Sequence, residues 1–289
     1  MTPKKPVNVK HFCNIGDIIA SLPGLKRHYE LTKRKSVYCQ QLNVPANYYM
    51  NAPHPTVDDE GGQVFCNQKM FDMIKPLIEA QEYIERMEVY NGQLISINLD
   101  VIRKERFINM PHQAIQQWVF MAYPDMATDL SKTWLEVGEV DISNCYLIDP
   151  FLVTRPDPIE NLHEKIILNF TERYRNKALN YFFLKKYQDR LIFAGTEYEY
   201  LSFCKEWKLD IPRLVVHDFL QLASILKKCK FLLCNQSFLW NVSFAMKTPH
   251  VLEICEYADN CQCFMYENSL GHLHQQGIVY YFKELLKLK

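Results

Sequence analysis

The chain has 289 residues, of which 48% are hydrophobic and 23% charged, and its 33 basic and 33 acidic side chains leave no formal net charge. This composition excludes a disordered chain. It also lacks the basic excess that a dedicated nucleic-acid binder usually shows. The length favours two domains of ordinary size.

No apolar stretch reaches the ~18 residues that a membrane-spanning helix needs. The polar start MTPKKP precedes no signal-peptide core. We therefore expect a cytoplasmic protein without a membrane span. Ten cysteines are scattered along the chain, several inside apolar runs such as FLLC. That distribution is typical of reduced core thiols and not of a disulfide framework.

The first half of the chain opens with the pattern of a β-α-β unit, a strand over residues 7–13, a helix over 18–32 and a strand over 36–41. Residues 43–62 are rich in Asn, Pro, Asp and Gly and predict a long loop, which in a compact domain is more often functional than idle. The elements predicted after it are a helix over 69–81, strands over 86–90 and 94–99, and a helix over 111–123.

A segment rich in proline and charge, residues 149–164, is the best candidate for a linker. It divides the chain into domains 1–155 and 156–289. Strands and helices then alternate, which predicts an α/β fold with doubly wound parallel sheets. The predicted elements are strands over 165–170, 190–194, 214–217, 231–234 and 250–254, and helices over 178–187, 198–207, 219–228 and 239–246.

Polar loops follow four of these predicted strands, where a doubly wound fold builds its site. In the first, Gly16 permits a tight turn after Asn14 and Ile15. Asp17 then falls in the first helical turn, where free N–H groups favour an anion. Asp17 is therefore either a structural cap, a general base presented to a ligand cleft, or both.

The second loop carries a hydroxyl and several cations between a strand and a helix, namely Thr171, Arg173, Arg175 and Lys177. Arginine can form bidentate hydrogen bonds to phosphate, and lysine offers a point charge. The loop is therefore suited to binding a diphosphate. The alternative interpretation is a solvated basic loop.

The third and fourth loops also place polar groups at helix starts. Glu197 and Glu199 follow a glycine turn and suit the two hydroxyls of a ribose, or they complement the helix N-terminus. Gln236 and Ser237 begin the next helix, whose start suits phosphate or a sugar hydroxyl. The alternative there is a helix cap formed by Asn235 or Ser237.

Taken in this order, the loops resemble heptosyltransferase-like glycosyltransferases of family 9, which have two Rossmann-like domains in the GT-B arrangement, facing across a cleft. The stretch IGDIIASLPGLK is similar to the N-terminal pattern of that family, in which the acid is the catalytic base. The resemblance implies that role for Asp17.

Two further stretches are similar to the donor-binding motifs of the family. LNFTERYRNKALNYF resembles its phosphate-binding loop, which points to Thr171, Arg173 and Lys177, with Arg175 as a competing match. IFAGTEYEYLSF resembles its ribose-binding stretch, for which Glu199 is the better match and Glu197 the second.

The stretch NQSFLWN departs from the family's Asn-Asp-Ser-Gly-x-x-His block. Gln236 stands in place of the acid, Phe238 in place of the glycine and Asn241 in place of the histidine. The first change removes a charged acceptor for sugar hydroxyls, and the second narrows the approach of a diphosphate to the backbone.

The resemblance implies an inverting transfer, of hexosyl or heptosyl type, from a nucleotide-diphosphate sugar to an acceptor hydroxyl. Asp17 would act as the base and the cations of the second loop would replace a metal, so no cofactor is expected. The acceptor, a saccharide or a modified nucleic acid, is expected near Asn14, Gly16 and His54. The alternatives are a nucleotide-sugar-binding protein with impaired catalysis and a transferase that glycosylates modified DNA bases.

Five residues of metal-binding type lie close together near the C-terminus, namely Cys255, Cys261, Cys263, His272 and His274. Their spacing lacks the paired C-x2-C knuckle of structural zinc sites. We therefore expect buried thiols and surface histidines here and no metal.

Overall fold

The computed structural model describes residues 4–46, 55–103, 114–149, 157–258 and 266–288. Contacts divide these residues into two compact units, and the chain passes from unit 1 to unit 2 after Glu136. The predicted boundary after residue 155 lies outside the described residues and stays a prediction.

Unit 1 contains a four-stranded sheet in the order β3-β2-β1-β4, and all its paired strands are parallel. Parallel neighbours need a long crossover connection, and the helix over Ile15–Thr32 supplies it between the first two strands. The strands are β1 (Val7–His11), β2 (Ser36–Gln40), β3 (Ile84–Val89) and β4 (Ile97–Asn98). The helices are α1 (Ile15–Thr32), α2 (Gln68–Glu79) and α3 (Ile115–Ala122), with 3-10 helices Leu99–Arg103 and Pro124–Met126.

Helix α1 packs closely against α3. A Cβ atom at Gly24 would lie 2.9 Å from Val119 Cγ1, a distance at which one of the two helices would have to move. The glycine of the LPG motif therefore permits the close approach of α3.

Unit 2 contains an eight-stranded sheet in the order β12-β11-β10-β7-β8-β9-β5-β6. The strands from β12 to β9 are parallel, and β5 is antiparallel to both of its neighbours. The strands are β5 (Tyr146–Ile148), β6 (Asp157–Pro158), β7 (Ile166–Asn169), β8 (Leu191–Phe193), β9 (Arg213–Val215), β10 (Phe231–Asn235), β11 (His250–Glu253) and β12 (Ser269–His272). The α/β fold class with parallel sheets is thus confirmed, and part of the predicted linker forms β6.

The helices of unit 2 match the predicted positions in three cases out of four. They are α4 (Glu197–Trp207), α5 (Phe219–Lys228), α6 (Phe238–Met246) and, beyond the predicted elements, α7 (Gln275–Leu286). Strand β12 and helix α7 were not predicted, although Ile278, Phe282 and Leu285 have helical spacing and are buried.

The helix predicted over residues 178–187 is wrong, because the chain forms a 3-10 helix at Phe182–Arg190 instead. Tertiary hydrogen bonds hold the start of this segment. The Asn180 N–H donates to Gln275 Oε1 at 2.7 Å, and the Tyr181 hydroxyl donates to Glu253 Oε2 at 2.6 Å. These contacts take the place of the first helical turn.

No helix within the described part of the chain is both long and apolar enough to cross a membrane.

A buried histidine joins the last strands of unit 2. His250 Nδ1 lies 2.9 Å from Ser243 Oγ, and its Nε2 lies 2.6 Å from Ser269 Oγ. The ring is inaccessible to solvent. Burial lowers the pKa of His250 from 6.5 to about 3, because a charged imidazole would lose its hydration. The folded chain therefore holds His250 neutral.

We expect His250 to make folding sensitive to acid. At His250 the unfolded chain binds a proton near pH 6.5, whereas the folded chain does so only near pH 3. The free energy of unfolding therefore has its full value above pH 6.5. It falls as the pH drops below 6.5, because only the unfolded chain takes up the proton. At pH 5 the loss is about 2 kcal/mol of the free energy of unfolding. Urea unfolding at pH 7 and pH 5 measures it. The His250→Gln variant should lose this part of the pH dependence, whereas the exposed His163→Gln control should keep it; equal pH dependence in both variants would contradict the assignment.

Candidate functional site

Each sheet reverses its strand order at one place. In unit 1 the chain runs from β1 to β2 and β3 on one side, while β4 lies on the other side of β1. In unit 2, β8 and β9 lie on one side of β7, and β10 lies on the other. Ligands of open α/β sheets bind outside the carboxyl ends of the strands at such switch points. The loops after β1 and β4, and those after β7 and β10, are therefore the candidate ligand-binding loops.

Helix α1 is capped by Asn14 and not by Asp17. The Asn14 side chain accepts hydrogen bonds from the backbone N–H groups of Gly16 at 3.0 Å and Asp17 at 3.2 Å. The interpretation of Asp17 as the structural cap is therefore wrong. The cap at Asn14 also explains why α1 begins at Ile15, earlier than predicted. The Asp17 carboxylate, at the third helical position, is available for another role.

The Asp17 carboxylate is 4% exposed and forms an ion pair with Arg103. Arg103 Nη2 donates to Asp17 Oδ2, and Arg103 Nε donates to Cys13 Sγ at 3.1 Å. The guanidinium carbon also lies 5.9 Å from the Phe65 ring centre and 5.8 Å from that of Trp118. Burial opposes the charge of Arg103, but Asp17 and Cys13 raise its pKa well above the usual range. The result is a fixed carboxylate at the switch point of unit 1.

Only one oxygen of this carboxylate is engaged by the described residues. Asp17 Oδ2 binds Arg103, and among those residues Asp17 Oδ1 has no hydrogen-bond partner. A carboxylate oxygen without a donor is the arrangement that a proton acceptor needs.

Arg103 was missed by sequence reasoning. It ends the 3-10 helix that follows β4, so topology alone brings it to the end of β1. The sequence signal that could have identified Arg103 is the pair of opposite charges, Asp100 and Arg103, directly after a predicted strand. Asp100 contacts β1 as well, through Lys10 Nζ at 2.8 Å. His54, the remaining predicted acceptor-side residue, lies outside the described residues.

In unit 2, Asn235 at the end of β10 holds the loop after β7. Its Oδ1 accepts from the Thr171 N–H at 3.1 Å, and its Nδ2 donates to the carbonyls of Thr171 at 2.9 Å and Arg173 at 2.7 Å. The Thr171 hydroxyl donates to the Arg173 carbonyl at 3.1 Å. The start of the predicted phosphate loop is thus fixed against the neighbouring strand.

The residues that follow β10 bind neighbouring loops and do not cap α6. Ser237 occupies the N-cap position, but its hydroxyl donates to Asn169 Oδ1 at 2.6 Å and makes no cap hydrogen bond. The Gln236 side chain accepts from the Cys255 N–H at 2.9 Å. The capping alternative for Asn235 or Ser237 is therefore wrong. The first N–H groups of α6, where an anion is favoured, receive no cap from the Ser237 side chain.

The three predicted cations have different surroundings. Lys177 is exposed and Arg173 is half-buried. Arg175 Nε lies 3.3 Å from Oε1 of the fully buried Glu253, so its charge is already compensated within the protein. Which of them contact a diphosphate stays a prediction.

The two predicted ribose ligands also differ. Glu199 is 7% exposed and forms a capping box with Thr196, since its Oε2 accepts from the Thr196 N–H at 2.9 Å and from the Thr196 hydroxyl at 2.8 Å. Burial raises the pKa of Glu199, and the Thr196 hydrogen bonds oppose that shift. Glu197 is exposed at the first position of α4. A Cβ at Gly195 would lie 3.2 Å from Glu199 Oε2, so the glycine leaves space beside the carboxylate.

The residues that depart from the family pattern have partners of their own. The Phe238 ring centre lies 4.5 Å from that of Phe219, and Asn241 Nδ2 donates to the Ser237 carbonyl at 3.2 Å. These side chains therefore stabilise the start of α6.

The C-terminal cysteines and histidines are only partly described. Cys255 is buried, and burial raises the pKa of its thiol. The rings of His272 and His274 lie 5.5 Å apart. Cys261 and Cys263 lie outside the described residues. Among those described, no three His, Cys, Asp or Glu side chains lie close enough to hold a metal ion.

No protein-family model matches the sequence, and neither does any curated protein sequence. Several solved structures do match the fold over nearly the whole chain. The glycosyl transferase family 9 protein from Veillonella parvula DSM 2008 has a TM-score of 0.58 at 10% identity, covering 99% of this chain and 98% of that one. E. coli heptosyltransferase WaaC with ADP has a TM-score of 0.53 at 11% identity, covering 98% and 100%.

E. coli ADP-heptose lps heptosyltransferase II has a TM-score of 0.50 at 12% identity and covers 97% of this chain and 98% of its own. At such identities the likeness shows the fold alone. The resemblance stated from the sequence is confirmed at that level: the chain has the fold of these glycosyltransferases.

We expect Asp17 and Arg103 to depend on each other for stability. Replacing Arg103 by Met leaves a buried carboxylate without a counter-charge, which costs about 3 kcal/mol of the free energy of unfolding. Asp17→Asn in the same chain should restore most of that loss. A double-mutant cycle by urea unfolding measures the coupling, and strictly additive losses would contradict the ion pair.

Proposed function

We propose that the chain is an inverting, metal-independent glycosyltransferase that moves a sugar from a nucleotide-diphosphate sugar to an acceptor hydroxyl. The observation that carries the proposal is the buried Asp17 carboxylate, held at one oxygen by Arg103 and without a described partner at the other. The shared fold with solved glycosyltransferases supports it.

In the proposed reaction, Asp17 acts as the general base. The acceptor hydroxyl gives its proton to Oδ1 while its oxygen attacks the anomeric carbon, and the bond from that carbon to the diphosphate oxygen breaks. Because the attack comes from the face opposite the leaving group, the configuration inverts. Arg103 holds the carboxylate in place through its hydrogen bond to Oδ2. The proton moves late, after the developing oxocarbenium ion has made the hydroxyl acidic.

The donor is proposed to bind unit 2 at the loops after β7 and β10. Thr171, Arg173 and Lys177, together with the start of α6 at Ser237, offer cations and N–H groups to the leaving diphosphate. In this proposal their charge serves in place of a metal ion. One of the structurally similar proteins, E. coli heptosyltransferase WaaC, was solved both with ADP and with an ADP-sugar, so ADP is the first nucleotide to test.

The sequence domains then have separate roles. Residues 1–155 would bind the acceptor beside Asn14, Gly16 and Asp17, and residues 156–289 would bind the donor. A nucleotide-sugar-binding protein without transferase activity is the second candidate. It is favoured by one observation, that Phe238 packs on Phe219 where the family has a glycine.

We expect Asp17→Asn to lower the rate of transfer at least about 100-fold, the size of a general-base contribution. Binding of the nucleotide should stay within about twofold, since Asp17 belongs to unit 1. Product formation from a panel of ADP-, UDP- and GDP-sugars, with thermal shift for binding, provides the measurement. The exposed Asp72→Asn variant is the control and should transfer normally. Nucleotide binding without transfer by the unaltered chain would favour the second candidate, and normal turnover of Asp17→Asn would exclude Asp17 as the base.

We expect Glu199→Gln to separate ribose binding from helix capping. Glutamine also completes a capping box, so the free energy of unfolding should change by less than about 1 kcal/mol. Loss of the charged acceptor should weaken ADP binding about tenfold. The preference for ADP over 2′-deoxy-ADP should shrink as well. Calorimetric titration with both nucleotides tests this, with Glu197→Gln as the matched control. A loss confined to the Glu197 variant would transfer the ribose role to that residue.

A further inference from the structure

Glu253 is a fully buried carboxylate that the sequence did not single out. It ends β11 and is the register partner of Asn235 at the end of β10. It therefore lies in the row of strand ends that forms the switch point of unit 2. A buried carboxylate is costly unless charge and hydrogen bonds compensate it, so its partners show what it does.

Among the described residues, all hydrogen-bond partners of its side chain come from the segment after β7. Glu253 Oε1 accepts from the Asn176 N–H and from Arg175 Nε at 3.3 Å, and its Oε2 accepts from the Tyr181 hydroxyl at 2.6 Å. Burial raises the pKa of Glu253, and Arg175, Tyr181 and Asn176 oppose that shift by stabilising the charged form. Since β10 lies between β11 and β7, these contacts reach across the sheet edge and fix the end of the loop.

Arg175 is held from other sides too. Its Nη1 lies 3.8 Å from Glu206 Oε2, and its guanidinium carbon lies 5.2 Å and 5.5 Å from the ring centres of Phe170 and Phe203. Those two rings stack on each other with centres 4.5 Å apart. The Arg175 side chain is 14% exposed. A phosphate that took Arg175 would have to leave Glu253 buried without its counter-ion.

We propose that Glu253 is a positioning residue: it fixes the loop after β7 and takes Arg175 as its counter-ion, so that Arg175 does not bind the donor's diphosphate. This proposal rests on the proposed function and assigns the roles within its donor site. Asn235 holds the loop at Thr171 and Arg173, and Glu253 holds it at Asn176 and Tyr181, so the backbone that carries Arg173 and Lys177 is anchored on both sides.

The experiment compares Glu253→Gln with Glu206→Gln in the full chain. Glu206 also contacts Arg175 but is half exposed, which makes it the matched control. Hydrogen exchange of the ligand-free protein should show the Asn176 amide exchanging at least tenfold faster in Glu253→Gln, and unchanged in Glu206→Gln. The ratio of ADP to AMP affinity, measured by calorimetry, should fall at least fivefold in Glu253→Gln only. A merely structural role would lower the melting temperature without moving that ratio.

A double variant, Glu253→Gln with Arg175→Gln, covers the case in which Glu253→Gln does not fold. It replaces the buried ion pair by neutral amides. The glutamine oxygen at position 253 can still accept from the Asn176 N–H, and its NH2 can donate to the Tyr181 hydroxyl oxygen. Its ADP affinity should stay within threefold of the unaltered chain, whereas Arg173→Gln and Lys177→Gln should each lose at least tenfold.

Loss of ADP affinity in the double variant with normal Asn176 exchange would overturn the assignment of Arg175. Unchanged exchange in Glu253→Gln would overturn the positioning role. If the unaltered chain binds none of ADP, UDP and GDP, the proposed function fails, while the exchange measurement still decides the role of Glu253.

Discussion

The cost of burying a carboxylate is the physical constraint on which the candidate sites of unit 1 and unit 2 both depend. An ionised carboxylate loses its hydration inside a protein, and the fold tolerates it only with a counter-charge and hydrogen bonds. Unit 1 meets this constraint for Asp17 with Arg103, and unit 2 meets it for Glu253 with Arg175. In each case the arginine comes from a loop at the end of another strand. The ion pairs therefore connect the strand-end loops that surround the two switch points.

The two carboxylates differ in how completely they are satisfied, and the difference separates a chemical role from a positioning one. Glu253 has described donors at both oxygens and is inaccessible to solvent, so a substrate hydroxyl does not reach it. Asp17 receives its single described side-chain donor at Oδ2. A carboxylate that is oriented by one donor and open at the other oxygen suits proton transfer, because its orientation costs nothing further when the substrate arrives.

Most of the fold could be predicted from the sequence, because strand and helix periodicity and strand-end turns are local signals. The four loops after strands were also found in this way. The ion pairs could not be found, since Arg103 lies 86 residues from Asp17 and Arg175 lies 78 residues from Glu253. The helix cap was misassigned for another reason: Asn and Asp are both good caps, and only the structure shows that Asn14 takes the α1 N–H groups. The failed helix over 178–187 has the same origin as the ion pairs, because the long-range bond from Tyr181 to Glu253 overrides a local preference.

The departures from the family pattern change which residues can supply charge to the proposed donor site. Gln236 is neutral and its side chain accepts a hydrogen bond from the Cys255 backbone, while Asn241 donates to the Ser237 carbonyl. These side chains hold the start of α6 in place but supply no charge. A leaving diphosphate would need compensation from elsewhere in unit 2, and the loop after β7 carries the nearby cations in the sequence. Arg175 in this loop is already paired with the buried Glu253, so its charge is not available to a ligand. The rigidity of that loop, held by Asn235 and Glu253, then matters more than the number of its cations.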